Sequence, residues 1–152
     1  MIGSVDGAGR AIVRLRLILL PENKTPAPVV IRTSFGDEPA WLTFCETIKA
    51  LFEDEPHFIS DAKLDSKSPE DLLEELPTEA SHNCIYIADE QTLKSAELPV
   101  LAMDIVTGPG RTFRVVPAEM NAVQVNLWIS NIDFEEFADS VDSDGVIRGF
   151  SV

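Results

Sequence analysis

The chain reads as an α/β protein, a single layered domain with a mixed sheet and a C-terminal β-hairpin region. Three observations predict it. Short β-branched or apolar runs alternate with helical spacings early in the chain. Two later apolar runs face each other across a Gly-Pro-Gly turn. A length of 152 residues with 45% hydrophobic and 25% charged residues suits one globular unit. A unit of about 150 residues buries roughly 70% of the surface its unfolded chain exposes, so it needs no disulfide or metal to hold it.

Residues 1–10 are small and Gly-rich, and disorder is expected there. Ala11–Leu20 favours neither strand nor docking helix, and Pro21, Pro26 and Pro28 then make a stiff linker. The expected division is a basic, partly disordered N-terminal extension over 1–27 and an acidic α/β domain over 28–152. Val29–Phe35 is β-branched and apolar, a strand ended by Gly36. Asp37 is placed to cap a helix with Pro39 in its first turn, and Trp41, Phe44, Cys45, Ile48, Leu51 and Phe52 form its apolar stripe. A Trp and two Phe on one stripe are core before they are a ligand pocket.

His57–Ala62 is a weak strand. Ser68-Pro69-Glu70-Asp71 has the spacing of a capping box and opens a short helix that Pro77 stops. Asn83–Ala88 is a strand, with Asp89 starting a short helical stretch. Pro99–Val106 and Arg111–Val116 form the hairpin. Val123–Ile129 alternates strictly and is expected as a strand, with a helix through Met120, Val123 and Leu127 as the alternative. Asp133–Ser140 is a short acidic helix, and Asp144-Gly145 turns the chain into a last strand around Val146–Arg148.

Twelve Lys and Arg stand against 26 Asp and Glu, for a net charge of −14. That balance argues against gripping a phosphate backbone or an anionic membrane. It is uneven. Residues 1–34 carry Arg10, Arg14, Arg16, Lys24 and Arg32 against Asp6 and Glu22, so a +3 leader precedes a −17 body. Asp133 to Asp144 alone holds six acids and no base. A solvated face is the plain explanation; a surface that recruits a basic partner is the sharper one.

Cys45 and Cys84 are too few for a secreted disulfide framework and read as partly buried free thiols. The apolar run Ala11–Leu20 is interrupted by Arg14 and Arg16 and is too short to span a bilayer. The Asn23-Lys24-Thr25 sequon matters only in a secretory compartment, which nothing else supports. A cytoplasmic setting is expected.

No constellation is complete. Gly108-Pro109-Gly110-Arg111 lacks the Lys and Ser/Thr of a phosphate loop. His57, His82, Cys45 and Cys84 lack the paired spacing of a zinc site, and a Cys–His nucleophile pair among them has no better footing. Ser140, Asp142, Asp144 and Gly145 imitate half a calcium loop, but Ser151 stands where its bidentate Glu belongs, so a turn is expected. Neither a metal nor a cofactor is expected.

Asp104 and Arg114 each interrupt an apolar strand of the hairpin, and a three-residue loop would set them opposite one another. They are candidate catalytic residues together with Asp133, either as a structural ion pair or as the charges of an acid/base pocket. Asn126, Asn131, Glu135, Glu136 and Arg111 are candidate binding residues. Asp133 also suits a helix cap, and the two Asn suit loop backbone groups.

The run Gly110–Pro117, Asn126-Leu127, Asn131–Ala138, Asp144-Gly145-Val146 and Arg148-Gly149-Phe150 resembles a family of small acidic proteins. That family is a domain of unknown function common in actinobacteria and also found in fungi. The opening Val30-Ile31-Arg32-Thr33 followed by Trp41 belongs to the same likeness, which covers roughly residues 28–150 and leaves the basic segment outside. The resemblance implies a single α/β domain in a cytoplasmic setting and no chemistry.

The expected function is a non-catalytic binding module that engages a basic protein partner, or a small-molecule ligand, through the acidic C-terminal face. One alternative is a cofactor-independent isomerase, cyclase or hydrolase using Asp104, Arg114 and Asp133. The other is an inhibitor that neutralises a toxin or mimics nucleic acid.

Overall fold

Val29–Arg32 (β3) is buried along its whole length, as a β-branched strand covered on both faces must be. In the computed structural model, which describes residues 2–5, 11–14, 17–77 and 82–149, β3 lies inside a six-stranded mixed sheet. On one side it pairs parallel with His57–Ile59 (β4), on the other parallel with Cys84–Ala88 (β5). Val100–Asp104 (β6) runs antiparallel to β5, and Thr112–Val115 (β7) antiparallel to β6. Val146–Ile147 (β8) closes the order β4-β3-β5-β6-β7-β8, parallel to β7. The fold is α/β with a mixed sheet, and the expected hairpin is the β6–β7 pair.

Alternate residues of the strands serve two cores. Val30, Tyr86, Ala102 and Val115 face Glu38–Lys49 (α1), Pro117–Trp128 (α4) and Phe134–Ala138 (α5). Val29, Ile31, Ile87 and Met103 face the other way. They meet Leu72 of Pro69–Glu75 (α2), Leu64 of the 3-10 turn Ala62–Leu64, and Ile18. Glu90–Lys94 (α3) links β5 to β6. Burying one such Leu or Ile side chain contributes roughly 1.5–3 kcal/mol.

The caps form as the sequence dictates. Asp37 accepts from the Ala40 amide at 3.0 Å, with Pro39 in the first turn of α1. Ser68 and Asp71 complete a reciprocal box on α2, and Asp133 with Glu136 does the same on α5. Of the expected α1 stripe, Trp41, Phe44, Cys45 and Ile48 are buried within the helix. Phe52 is buried just beyond it, whereas Leu51 is exposed.

Val123–Ile129, expected as a strand, is the second half of α4. Pro117 starts that helix, its missing N–H costing nothing at a position with no intrahelical acceptor. Met120, Val123, Gln124 and Leu127 then turn inward at helical spacing. The alternation arose because Val125 and Ile129 are apolar without being core. The last strand stops at Ile147, one residue short of the expected Arg148.

The leader is built differently from expectation. Ile2–Val5 (β1) pairs antiparallel with Ala11–Arg14 (β2), so a strand stands where disorder was expected. Met1 and residues 6–10 and 15–16 lie outside the described residues, as do 78–81 and 150–152. The Pro-rich stretch after Leu17 has neither helix nor strand, yet it is fastened along its length. Ile18 is fully buried and donates its N–H to the Glu75 carbonyl, the Pro21 carbonyl accepts from His82 Nε2 at 2.8 Å, and Asn23 Oδ1 accepts from Trp128 Nε1 at 3.2 Å.

Candidate functional site

The hairpin loop is organised by one carboxylate. Asp104, at the end of β6, is buried, and its Oδ1 accepts the Val106 and Thr107 amides at 3.0 and 3.1 Å. Its Oδ2 accepts from Thr107 Oγ1 at 2.7 Å, the Gly108 amide at 2.8 Å and Arg111 Nη2 at 2.7 Å. Burial alone would raise the Asp104 carboxyl, but the Val106, Arg111, Thr107 and Gly108 donors outweigh it and hold the pKa below the ordinary value of 3.8. Such a group is an ionised anchor. A general base for neutral pH needs the opposite shift.

The expected Asp104–Arg114 pairing does not form. The register sets Arg114 opposite Leu101 and Met103 opposite Thr112, so Asp104 faces Arg111. The loop is longer than three residues because the Asp104 carboxylate gathers the turn from Val106 to Gly108 around itself. Arg114 instead reaches Asp89, Nη2 to Oδ2 at 2.7 Å, and donates to the Pro99 carbonyl at 3.0 Å. Asp89 also caps α3 through Thr92.

Asp104 and Asp133 do meet at one place, a cleft of about 140 Å³ between the hairpin loop and the α4–α5 turn. Leu127, Ile132 and Phe134 give it apolar walls, and the exposed Asn83 also lines it while donating to the Leu127 carbonyl at 2.8 Å. Asp133 accepts the Glu136 amide at 2.9 Å as the cap of α5, while Glu136 Oε1 accepts the Asp133 amide at 3.3 Å. Arg111 lies over the Phe134 ring, 5.7 Å from its centroid, with Glu135 3.8 Å from its Nη1. Arg111 is therefore shared between the loop anchor and the acidic helix.

Asn126 and Asn131 brace the turn below. Asn126 Nδ2 donates to the Ala122 carbonyl at 2.7 Å and its Oδ1 accepts from Asn131 at 2.9 Å. Ser130 between them sits at φ +57°. The two residues serve the turn that shapes the cleft and are not among its lining residues.

Sequence reasoning missed Arg148. It binds Asp144 at 2.6 Å, Glu97 at 2.6 Å and Asp142 at 3.1 Å, and Asp144 foremost, then Glu97 and Asp142, raises its pKa further. The Asp144-to-Arg148 spacing was a signal, though the turn conformation that closes it was not. These contacts make Asp142–Gly145 a turn, as expected, and take two carboxylates out of the acidic run. Asp89, Asn83 and Gln124, which accepts from Tyr86 Oη at 2.9 Å, were also missed.

Among the described residues, no group of three or more His, Cys, Asp or Glu side chains is placed to hold a metal ion. Cys45 and Cys84 are buried free thiols. His57 is exposed on β4, while His82 is buried against the leader. No helix among the described residues is long and apolar enough to cross a membrane.

Compared with known families, residues 27–150 match the family described as Domain of unknown function (DUF6924), and the chain belongs to it. No curated protein matches the chain.

Proposed function

We propose that the chain is a non-catalytic binding module of the cytoplasm that engages a basic protein partner through its C-terminal acidic face. The observation that carries this reading is the cleft, which joins apolar walls to an acidic rim. A docking surface gains most of its affinity from an apolar side chain seated in a desolvated pocket, with charges at the rim setting approach and orientation. Leu127, Ile132 and Phe134 supply the pocket, Asp133 stands exposed in its lining, and Glu135 and Asp139 are exposed on the helix that Asp133 caps and at its end. Val106, at 49% exposure, adds a further apolar side chain to the lining. A partner segment with Lys or Arg around one aliphatic or aromatic residue fits it.

An acid/base enzyme using Asp104, Arg114 and Asp133 has less support. Arg114 is held by Asp89, and the Asp104 oxygens are already taken by five donors.

Panning the full chain against phage-displayed random peptides tests the proposal. Enriched peptides are expected to pair basic residues with one large apolar residue and to bind less tightly as salt is raised. Glu135→Lys with Asp139→Lys is expected to abolish that binding while leaving the circular dichroism spectrum unchanged. Failure to enrich any peptide, or enriched peptides indifferent to both substitutions, rejects it.

A further inference from the structure

A second concavity, of about 650 Å³, lies outside the carboxyl ends of β3, β4 and β5. It shares no lining residue with the acidic cleft. Its position follows from the topology. The connection leaving β3 runs to α1 on one face of the sheet, and that leaving β4 runs through the 3-10 turn and α2 on the other. Loops that part in this way leave a crevice at the strand ends, where open α/β sheets place their ligands. The volume falls within the range of small-molecule sites.

The wall has a definite chemistry. The β3 loop contributes Thr33, Ser34 and Phe35, and the loop after the 3-10 turn contributes Asp65, Ser66 and Lys67. The two loops are locked together by the Ser66 amide, which donates to the Thr33 carbonyl at 2.8 Å. Ser66 is held at φ +61°, a conformation disfavoured for any residue with a Cβ. Arg32, buried behind Phe35 with its guanidinium 4.2 Å from the ring centroid, fixes that ring as a floor.

Four acids and two bases line this wall, and most of them are already engaged. Asp89 is paired with Arg114 and Glu90 with Lys94, and Asp37 is occupied as the cap of α1. Asp65 and Lys67 carry opposite signs on either side of Ser66. An anion gains little here, because the α1 amide that would greet it already faces Asp37. An apolar ligand would strand the hydroxyls and charges without partners. What remains is a wall rich in both donors and acceptors, beside one fixed aromatic ring. Sugar hydroxyls both donate and accept, and the faces of a sugar or a base pack on aromatics.

We propose that this crevice binds a neutral, sugar-bearing small molecule, either a free sugar or a nucleoside. Asp65 and Ser66 accept hydrogen bonds from its hydroxyls, Lys67 donates to its oxygens, and Phe35 packs against its ring.

Amide chemical shifts of the full chain, followed while ribose, glucose, inositol, adenosine, uridine or inorganic phosphate is added separately, test this. At least one neutral compound is expected to shift the amides of Thr33–Asp37 and Asp65–Lys67 saturably. A response to adenosine or uridine alone identifies a nucleoside, and a response to ribose, glucose or inositol a free sugar. Asp65→Ala and Lys67→Ala are each expected to weaken that binding about tenfold, the effect of one lost hydrogen bond to a charged group. Saturable shifts of those amides by phosphate alone overturn the proposal, as does the absence of a saturable response to every neutral compound. The acidic-face reading stands or falls separately, since Glu135→Lys and Asp139→Lys leave these amides untouched.

Discussion

Arg114 holds Asp89 with both ends of its guanidinium, Nη1 to Oδ1 at 3.1 Å and Nη2 to Oδ2 at 2.7 Å, reaching from β7 across β6 to the end of β5. The side chains are only 15% and 27% exposed, so the pair is little screened. Arg114→Ala is expected to cost about 2 kcal/mol, because it strands a carboxylate that also caps α3. Arg114→Lys recovers only part of this, since an ammonium cannot reproduce the two parallel bonds. Urea unfolding midpoints of the three proteins check the order.

Asp104 is expected to contribute to the acid sensitivity of the fold. Its folded-state pKa lies below the ordinary carboxyl value despite burial, because backbone and side-chain donors favour the ionised form. A group lowered in this way stabilises the fold fully above its unfolded value, about 3.9, and loses that contribution as pH falls through the folded value. Asp104→Asn is expected to cost about 3 kcal/mol at neutral pH, since its amide would point a donor at Gly108 or Arg111. Stability measured from pH 6 downward tests the sign: wild type and variant should converge in acid. A constant gap would refute it.

Gly108 is where the loop has no room. A Cβ there would stand 2.2 Å from Arg111 Nε and 2.8 Å from Cζ. Gly108→Ala is therefore expected to expel the guanidinium from Asp104 and destabilise by roughly 1–2 kcal/mol. In an Arg111→Ala background the same substitution should cost much less, and a double-mutant cycle measures that coupling. Additive costs would mean that the added methyl finds room without moving Arg111.

Thiol chemistry separates the folded from the unfolded chain. Burial, partly offset by Lys49 and Arg32, pushes Cys45 up to about 11, and burial pushes Cys84 up to about 12. Neither thiol is expected to react with iodoacetamide at pH 8 until the chain unfolds. Labelling of native protein at either position, read by mass spectrometry, contradicts that expectation.

The parts of this fold legible in the sequence are those decided within one or two turns of chain. Asp37, Ser68 and Asp133 cap helices because their carboxylate or hydroxyl needs only amides three residues on. The β6–β7 hairpin follows from two apolar runs and a turn. Its register does not, because the Asp104 carboxylate decides how much chain the loop absorbs. The Arg114–Asp89 pair joins residues 25 apart that meet only once three strands are aligned. The second half of α4 is hidden for a different reason: Gln124, polar and yet buried against Tyr86, breaks the apolar helical pattern. Asp133 stands out locally as a helix cap, but the cleft beside it also needs Asn83 and the Asp104–Thr107 loop, which no local pattern unites with residues 127–134.

The fastening of residues 17–27 has a practical consequence for anyone trimming the chain. A fragment that starts at residue 28 would open a hole on the α2 side of the sheet where Ile18 had been. It would also strip the ring of His82 of its carbonyl, and the amide of Gln124 of Ala27. A hole of that kind typically costs a few kcal/mol, a large share of what holds a small protein together. Shortening the N-terminus should therefore stop ahead of Leu17, and proteolysis of the intact chain should spare the segment that follows it.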